Sequence, residues 1–199
     1  MNMMGLSKVF IREELKIDFS EIEKREFGFV YSGSFRRKHQ FKDKESLVRF
    51  IEMVSPSDCF VSNARYIDPR TMTGLLGCDF FIDMDGEIGK TDSLFFDVQR
   101  CLKVLVEDFG FKNIIVNKSG AKGYHLIVSD EVVQDLSPNE RDEMIQYIQE
   151  KYKIKSIDVP CTCDLHRVRR LEGTINSKSG VICKRLKTII NEGDKNESS

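Results

Sequence analysis

The sequence carries no large excess of either charge: 31 lysines and arginines face 32 aspartates and glutamates, for a formal net charge of −1. A globally basic coat for nucleic acid is excluded, so any grip on phosphate has to come from local clusters. There is no run of 18 apolar residues and no secretory leader pattern, which argues against a membrane-spanning helix and for a cytoplasmic setting. In that setting the six cysteines are expected as reduced thiols and not as a disulfide framework. Cys161-Thr162-Cys163 leaves one residue between thiols where a zinc knuckle needs two to four, and no second Cys/His pair stands at knuckle spacing. Packing cysteines without structural zinc are therefore expected. No internal repeat and no low-complexity linker interrupts the chain. With 40% apolar residues, positions 1–190 are expected to form a single domain, followed by a polar, disordered tail over 191–199.

Four local clusters of cations are present: Arg36-Arg37-Lys38-His39, Lys118 with Lys122, His166-Arg167-Arg169-Arg170, and Lys184-Arg185-Lys187. Each taken alone is most simply a solvated face.

Along the chain, residues 6–25 suit one or two short amphipathic helices. Glu26–Tyr31 and Phe35–Phe41 read as strands around Ser32-Gly33-Ser34, and Asp43 is placed to cap a helix that Pro56 stops. Cys59–Ala64 is a short strand, and Tyr66–Leu76, with Asp68-Pro69 and Gly74, reads as a loop. Thr91, Asp92 or Ser93 can cap a helix closed by Gly110; Ile114–Val116 and Tyr124–Ser129 are strands. Ser137-Pro138-Asn139-Glu140 is a capping box with proline in the first helical position, predicting a helix through about Tyr152. Ile154–Val159 reads as a strand that Pro160 interrupts, Asp164–Leu171 as a short basic helix, and Gly173–Lys187 as a last hairpin.

The chemistry concentrates first in Phe80-Phe81-Ile82-Asp83-Met84-Asp85-Gly86. In a strand, Phe80, Ile82 and Met84 share one face while Phe81, Asp83 and Asp85 share the other. Two neighbouring carboxylates repel, and burial raises their pKa values, unless a cation lies between them. Oxygen ligands fixed at a strand end suit Mg²⁺ or Mn²⁺. The same residues also fit a hairpin in which Asp85-Gly86 is only a turn.

Between two strands, Ser119-Gly120-Ala121-Lys122-Gly123 offers backbone N–H donors, two glycines free to take positive φ, and a cation, which is the make-up of an anion nest. His125 follows, where it can donate a hydrogen bond to an oxyanion. Asp158 is a third acid at an expected strand end, and cations and amides follow at His166, Arg167, Arg169, Arg170, Asn176 and Lys178. Carboxylates for two metals with cations for a triphosphate make up the inventory of nucleotidyl transfer.

Several of these segments, taken in order, resemble the small catalytic subunit of archaeal and eukaryotic DNA primase. They are Glu23–Phe29, the FFIDMDGE strand, the SGAKGYH loop with VSDEVV after it, and IDVPCTCDLHRVRRLEGTINSKSG. The likeness runs from about residue 22 to residue 182.

The resemblance implies a mixed α/β fold, with an RNA-recognition-motif-like catalytic sheet packed with helices and an N-terminal α/β lobe. The βαββαβ order expected from Cys78 to Val159 is compatible with it. It also implies primer synthesis on single-stranded DNA from nucleoside triphosphates, with Mg²⁺ or Mn²⁺ as a pair of ions, a primase large subunit as a partner, and a nucleoid-associated location. Asp83, Asp85 and Asp158 fall on the family's metal-binding aspartates. Ser119, Gly120, Lys122, Gly123, His125, Arg170, Asn176 and Lys178 fall on its nucleotide-binding positions. Arg36, Arg37, His166, Arg167 and Arg169 are expected along the template, held mainly through its backbone.

Ala121 stands where many relatives carry arginine and Asn176 where they carry histidine. The family's zinc-binding insertion has no counterpart between Asp85 and Ser119, and Gly123–Asp158 is too short for the extra helical subdomain of eukaryotic members. Two other readings fit fewer residues. A haloacid-dehalogenase-type phosphatase would use Asp83 as nucleophile and Asp85 as acid, but it lacks a later paired-acid motif here. A non-catalytic primase-like protein would bind template or a partner without extending primers.

Overall fold

In the computed structural model of the chain, residues 21–86 and 91–190 are described, Thr91 and Asp92 by backbone alone. The helices expected before residue 21 and the tail over 191–199 lie outside them. After a 3-10 turn at Ile22–Lys24 come β1 (Arg25–Tyr31), β2 (Ser34–His39), α1 (Lys44–Val54), β3 (Asp58–Asp68), β4 (Thr73–Cys78) and β5 (Phe80–Met84). Then follow α2 (Thr91–Glu107), β6 (Asn113–Lys118), β7 (Tyr124–Val128), α3 (Pro138–Tyr152), α4 (Val159–Cys163), β8 (Val168–Arg170) and β9 (Lys184–Ile190). The chain divides into two compact units. One holds residues 1–77, 119–121 and 166–184, and the other holds 78–118, 122–165 and 185–199.

The first unit is built on a sheet of order β2-β1-β3-β4, with β8 also paired to β3. Ser32 and Gly33 both take positive φ (51° and 71°) and join β1 to β2 in the tight hairpin that their sequence predicts. Alternation along β1 sends Phe27 and Phe29 into a core with Leu47, Val48 and Ile51 of α1. Helix α1 starts where Asp43 accepts the Ser46 amide at 2.7 Å in a reciprocal capping box, and it stops at Ser55, ahead of Pro56.

Two expectations fail in this unit. The loop expected over Tyr66–Leu76 is instead the end of β3, a turn and β4. Asp68 accepts the Arg70 amide at 3.0 Å and the Thr71 hydroxyl at 2.8 Å, so the Asp-Pro signal marks a tight turn within the sheet. The basic helix expected over Asp164–Leu171 is replaced by β8, because the open edge of β3 takes these residues: Phe60 pairs with Arg170 and Ser62 with Val168.

The second unit carries a sheet of order β5-β7-β6-β9. Phe80, Ile82 and Met84 enter its main core against Leu94, Val98 and Leu105 of α2 and Ile145 and Ile148 of α3. Phe81 sits on the other face with Ile127 and Cys161, so the period-two reading of β5 holds. Helix α2 already begins at Thr91, which puts the three candidate caps inside it. Helix α3 begins at the predicted capping box, with Ser137 accepting the Glu140 amide and Glu140 accepting the Ser137 amide at 2.7 Å. Arg141, 1% exposed, reaches from α3 to the carbonyls of Cys78 (2.7 Å) and Asp79 (2.9 Å) and fixes the entry to β5. Ile154–Val159 does not form the expected strand. Only Ile157 makes an antiparallel bridge, to Met84, before Asp158 caps α4 with Pro160 in its first turn. The order bridge, β5, β7, β6 is that of a RNA-recognition-motif sheet with its fourth strand cut to one pair. Among the described residues no helix is long and apolar enough to cross a membrane.

Candidate active site

In the second unit, three antiparallel strands align Asp83 on β5 with His125 on β7, and His125 with Asn117 on β6. All three side chains therefore rise from the face that carries Phe81, away from the main core. His125 Nε2 lies 3.8 Å from Asp83 Oδ1, and its ring meets Phe81 edge-on at 5.1 Å.

Asp158 reaches the same place from α4. Its amide donates to the Asp83 carbonyl at 2.9 Å, so its position is set by the backbone of the strand that carries Asp83. Its carboxylate accepts the Cys161 amide at 2.9 Å as the helix cap. The Asp83 amide in turn donates to the Thr162 hydroxyl at 3.3 Å, and the Cys161 thiol donates to Asp83 Oδ2 at 3.3 Å. The result is a cluster in which single ligand atoms of Asp83, Asp158 and Cys161 all lie within 4.8 Å of one another.

Two carboxylates at that range repel, and a shared divalent cation removes the cost. Two hard oxygen donors and one sulfur, held by backbone hydrogen bonds, fit such an ion. Asp85 stands exposed beyond the end of β5 and is not one of the three, although it shares the face of Asp83. Its amide donates to the Ser156 carbonyl at 2.9 Å. Lys122 is exposed on the loop leading to His125, while Gly123 is buried.

The remaining expected nucleotide-binding residues belong to the first unit. Gly120 has φ +82°, and a Cβ there would come within 2.8 Å of the Val181 carbonyl oxygen. Here the sequence reading holds, because only glycine suits both the φ and the close backbone approach. The Ser179 hydroxyl donates to the Gly120 carbonyl, and the Ser119 hydroxyl accepts the Ala121 amide at 3.4 Å. Asn176 is buried and builds the turn that presents Lys178: its side chain accepts the Lys178 amide at 3.0 Å and its carbonyl accepts the Gly180 amide at 2.8 Å. Lys178 itself is exposed.

Arg170 pairs with Asp58 at 2.6 Å and covers the Phe60 ring at 4.9 Å. Burial pushes the Asp58 carboxyl up, but hydrogen bonds from Ser177 and Arg170 outweigh it and hold the group below the ordinary carboxylate range.

The expected template residues divide. Arg36 is exposed over the Tyr31 ring (4.7 Å), and His166 and Arg167 are exposed. Arg37 instead makes a two-pronged pair with buried Glu26 (2.8 and 2.7 Å) and donates to the His166 carbonyl at 2.8 Å. Arg169 is buried, with its guanidinium on the Asn63 side chain at 2.5 Å, because the strand register of β8 turns it inward. Neither guanidinium is laid out along an open surface. Sequence reasoning treated Cys161 as a packing cysteine and did not single out Asn117. The spacing of Cys161, three residues after a capping aspartate, was the available signal for its place beside the carboxylates.

The DNA primase small subunit family model matches residues 80–179, about half of the chain. The small subunit PriS of DNA primase from Pyrobaculum islandicum is 27% identical over 87% of this chain and 74% of its own length. That of Thermococcus kodakarensis is 31% identical over 69% of this chain, but only 45% of its own length is covered. Among solved structures, the polymerase domain of Mycobacterium tuberculosis ligase D in complex with DNA superposes with a TM-score of 0.57, covering 91% of this chain and 72% of that one at 12% identity. The AEP domain of the cyanophage S-2L primase-polymerase gives 0.56, over 90% and 91% at 10% identity. At these identities the structural likeness speaks for the fold. With the family match spanning β5, the SGAKGYH loop, Asp158 and the basic segment, the chain belongs to the DNA primase small subunit family.

Proposed function

We propose that the chain is the catalytic core of a primase, joining nucleoside triphosphates into short primers on a single-stranded DNA template. Residues 1–190 would act as one catalytic domain. The observation that carries the reading is the convergence of Asp83 and Asp158, 75 positions apart in sequence, on one point beside His125. Asp83 and Asp158 would hold a divalent cation, Mg²⁺ or Mn²⁺, and Asp85 would swing in from the same face to complete a two-ion site. Bound there, such ions lower the pKa of an attacking hydroxyl and neutralise a triphosphate.

The chain's own groups supply the rest. Lys122 is an exposed point charge for phosphate, and His125 is held against Phe81 where its ring can donate to a phosphate oxygen. Ser119, Gly120 and Gly123 orient phosphate through loop amides, while Lys178 and Arg170 add positive charge and Asn176 keeps the Lys178 turn in shape. Arg170 already neutralises Asp58, so Lys178 is the freer of the two to meet substrate. The template would run over Arg36, His166 and Arg167, gripped through its backbone and hence sensitive to salt. A protein acting on a DNA template would work in the cytoplasm at the nucleoid, and a primase large subunit is the expected partner.

The test is incorporation of labelled ribo- or deoxynucleotides on single-stranded DNA, with and without a primer, in Mg²⁺ or Mn²⁺. Metal-dependent extension that Asp83→Ala abolishes is the expected result. Template binding without any extension would mark a non-catalytic relative and overturn the proposal.

A further inference from the structure

Cys161 is the feature of the metal site that the proposed function leaves unused. It is 3% exposed, sits in the first turn of α4 behind the Asp158 cap, and packs its sulfur among Phe81, Ile127 and the two carboxylates. A thiol filling space would only need the apolar side of that environment. This one places its sulfur 3.3 Å from Asp83 Oδ2, to which its S–H donates, and within 4.8 Å of a ligand atom of Asp158 as well, close enough to share one ion with both carboxylates.

From this geometry we infer that Cys161 is a sulfur ligand in the primase metal site, making it a mixed oxygen–sulfur site that takes borderline and soft divalent ions in preference to Mg²⁺. The inference rests on the metal assignment of Asp83 and Asp158. Sulfur contributes little to a hard ion such as Mg²⁺, which demands octahedral oxygen, whereas Zn²⁺ and Cd²⁺ bind thiolate strongly in four-coordinate sites. On coordination the thiol releases its proton to solvent and the thiolate replaces a water on the ion, so atoms and charge balance without a further reactant. Asp83, Asp158 and Cys161 would therefore hold Mn²⁺ for work and would hold Zn²⁺ or Cd²⁺ more tightly, so that these ions compete for the site.

The other thiols are poorer candidates. Among the described residues, Cys59, Cys78, Cys101, Cys163 and Cys183 all lie outside the three-residue group.

The test is a Cd²⁺ titration of the intact chain read by the thiolate-to-metal charge-transfer band in the ultraviolet, beside Zn²⁺ inhibition of Mn²⁺-driven extension. The band should appear in the native chain and in Cys163→Ser, vanish in Cys161→Val, and weaken in Asp158→Asn. Valine keeps the apolar packing, and an unchanged melting curve would show that the fold persists. Zn²⁺ inhibition, expressed relative to each chain's own uninhibited Mn²⁺-driven rate, should be relieved in Cys161→Val. Absence of the band in the native chain, or its survival in Cys161→Val, overturns the inference even if Asp83→Ala is inactive. A band that depends on Cys161 in an enzyme indifferent to Asp83→Ala would instead overturn the catalytic assignment and leave the thiol site standing.

Discussion

The two units treat charge in opposite ways. In the first, arginines are tied into the protein. Arg25 donates to the Ser62 and Asn63 carbonyls, Arg37 clasps Glu26, Arg169 holds Asn63, and Arg170 pairs with Asp58. Each guanidinium meets acceptors that its fork geometry suits, so these charges hold the sheet together. In the second, Asp83 and Asp158 crowd with a thiol on one point. Charges that stabilise a fold come with neutral acceptors or partners of opposite sign, whereas like charges brought together cost stability and point to a ligand. By this measure the basic segment 166–170, which looks in sequence like the most obvious nucleic-acid patch, is partly structural, and the acidic strand is the part proposed to bind metal.

Five changes would break or sharpen that contrast. The largest effect is expected from Asp83→Ala, which should lower primer extension by roughly a thousandfold or more, the scale seen when one member of a catalytic unit is removed. Its melting temperature should hold or rise, since a repelling carboxylate is gone. Asp58→Ala should do the reverse, taking the carboxylate from the half-buried Arg170 guanidinium and from the Ser177 hydroxyl and lowering unfolding free energy by about 2 kcal/mol in denaturant titrations.

The pH dependence follows from the same pair. Asp58 is held below its ordinary value, so its contribution is complete above the unfolded carboxylate range and is lost as pH falls through the native value. Asp58→Asn should therefore flatten the acid side of the stability–pH curve, and an unchanged slope would count against the pairing. Lys122→Ala, at an exposed position, should raise the KM for nucleotide roughly tenfold, as for loss of one charge-assisted hydrogen bond, with no change in melting. The smallest effect belongs to Ser137→Ala, which removes the α3 cap and should cost about 1 kcal/mol of stability with catalysis intact.

Much of this was legible in the sequence, and the failures have physical reasons. The capping box of α3 and the Asp43 cap of α1 were readable because a cap is a local device, complete within four residues. The β5 face assignment was readable because period-two alternation fixes it without knowledge of partners. The β3–β4 hairpin was missed because Ile67, Leu75 and Leu76 are exposed, so the strands lack the inward alternation that marks a half-buried sheet. β8 was taken for a helix because three residues carry no period of their own and are strand only by virtue of the β3 edge. Asp158 was expected at a strand end and is a helix cap one residue past a single bridge, yet it still stands beside Asp83, since the backbone bond between them fixes it there. The motif resemblance picked out Asp83 and Asp158, which the fold brings together, and with them Asp85, which is not in that group. It could not show that Arg37 and Arg169 were already engaged, or that Cys161 stood among the carboxylates, because those facts depend on which side chains meet across long separations in sequence.

The measurement closest to the centre of this account is Mn²⁺ binding followed by electron paramagnetic resonance, in the native chain and in Asp83→Asn and Asp158→Asn, alongside extension of a primed single-stranded template by the same preparations. Quenching of the free Mn²⁺ signal by the native chain, lost in both variants together with extension, is the predicted result. Equal Mn²⁺ binding by all three, or extension that survives either substitution, would contradict it.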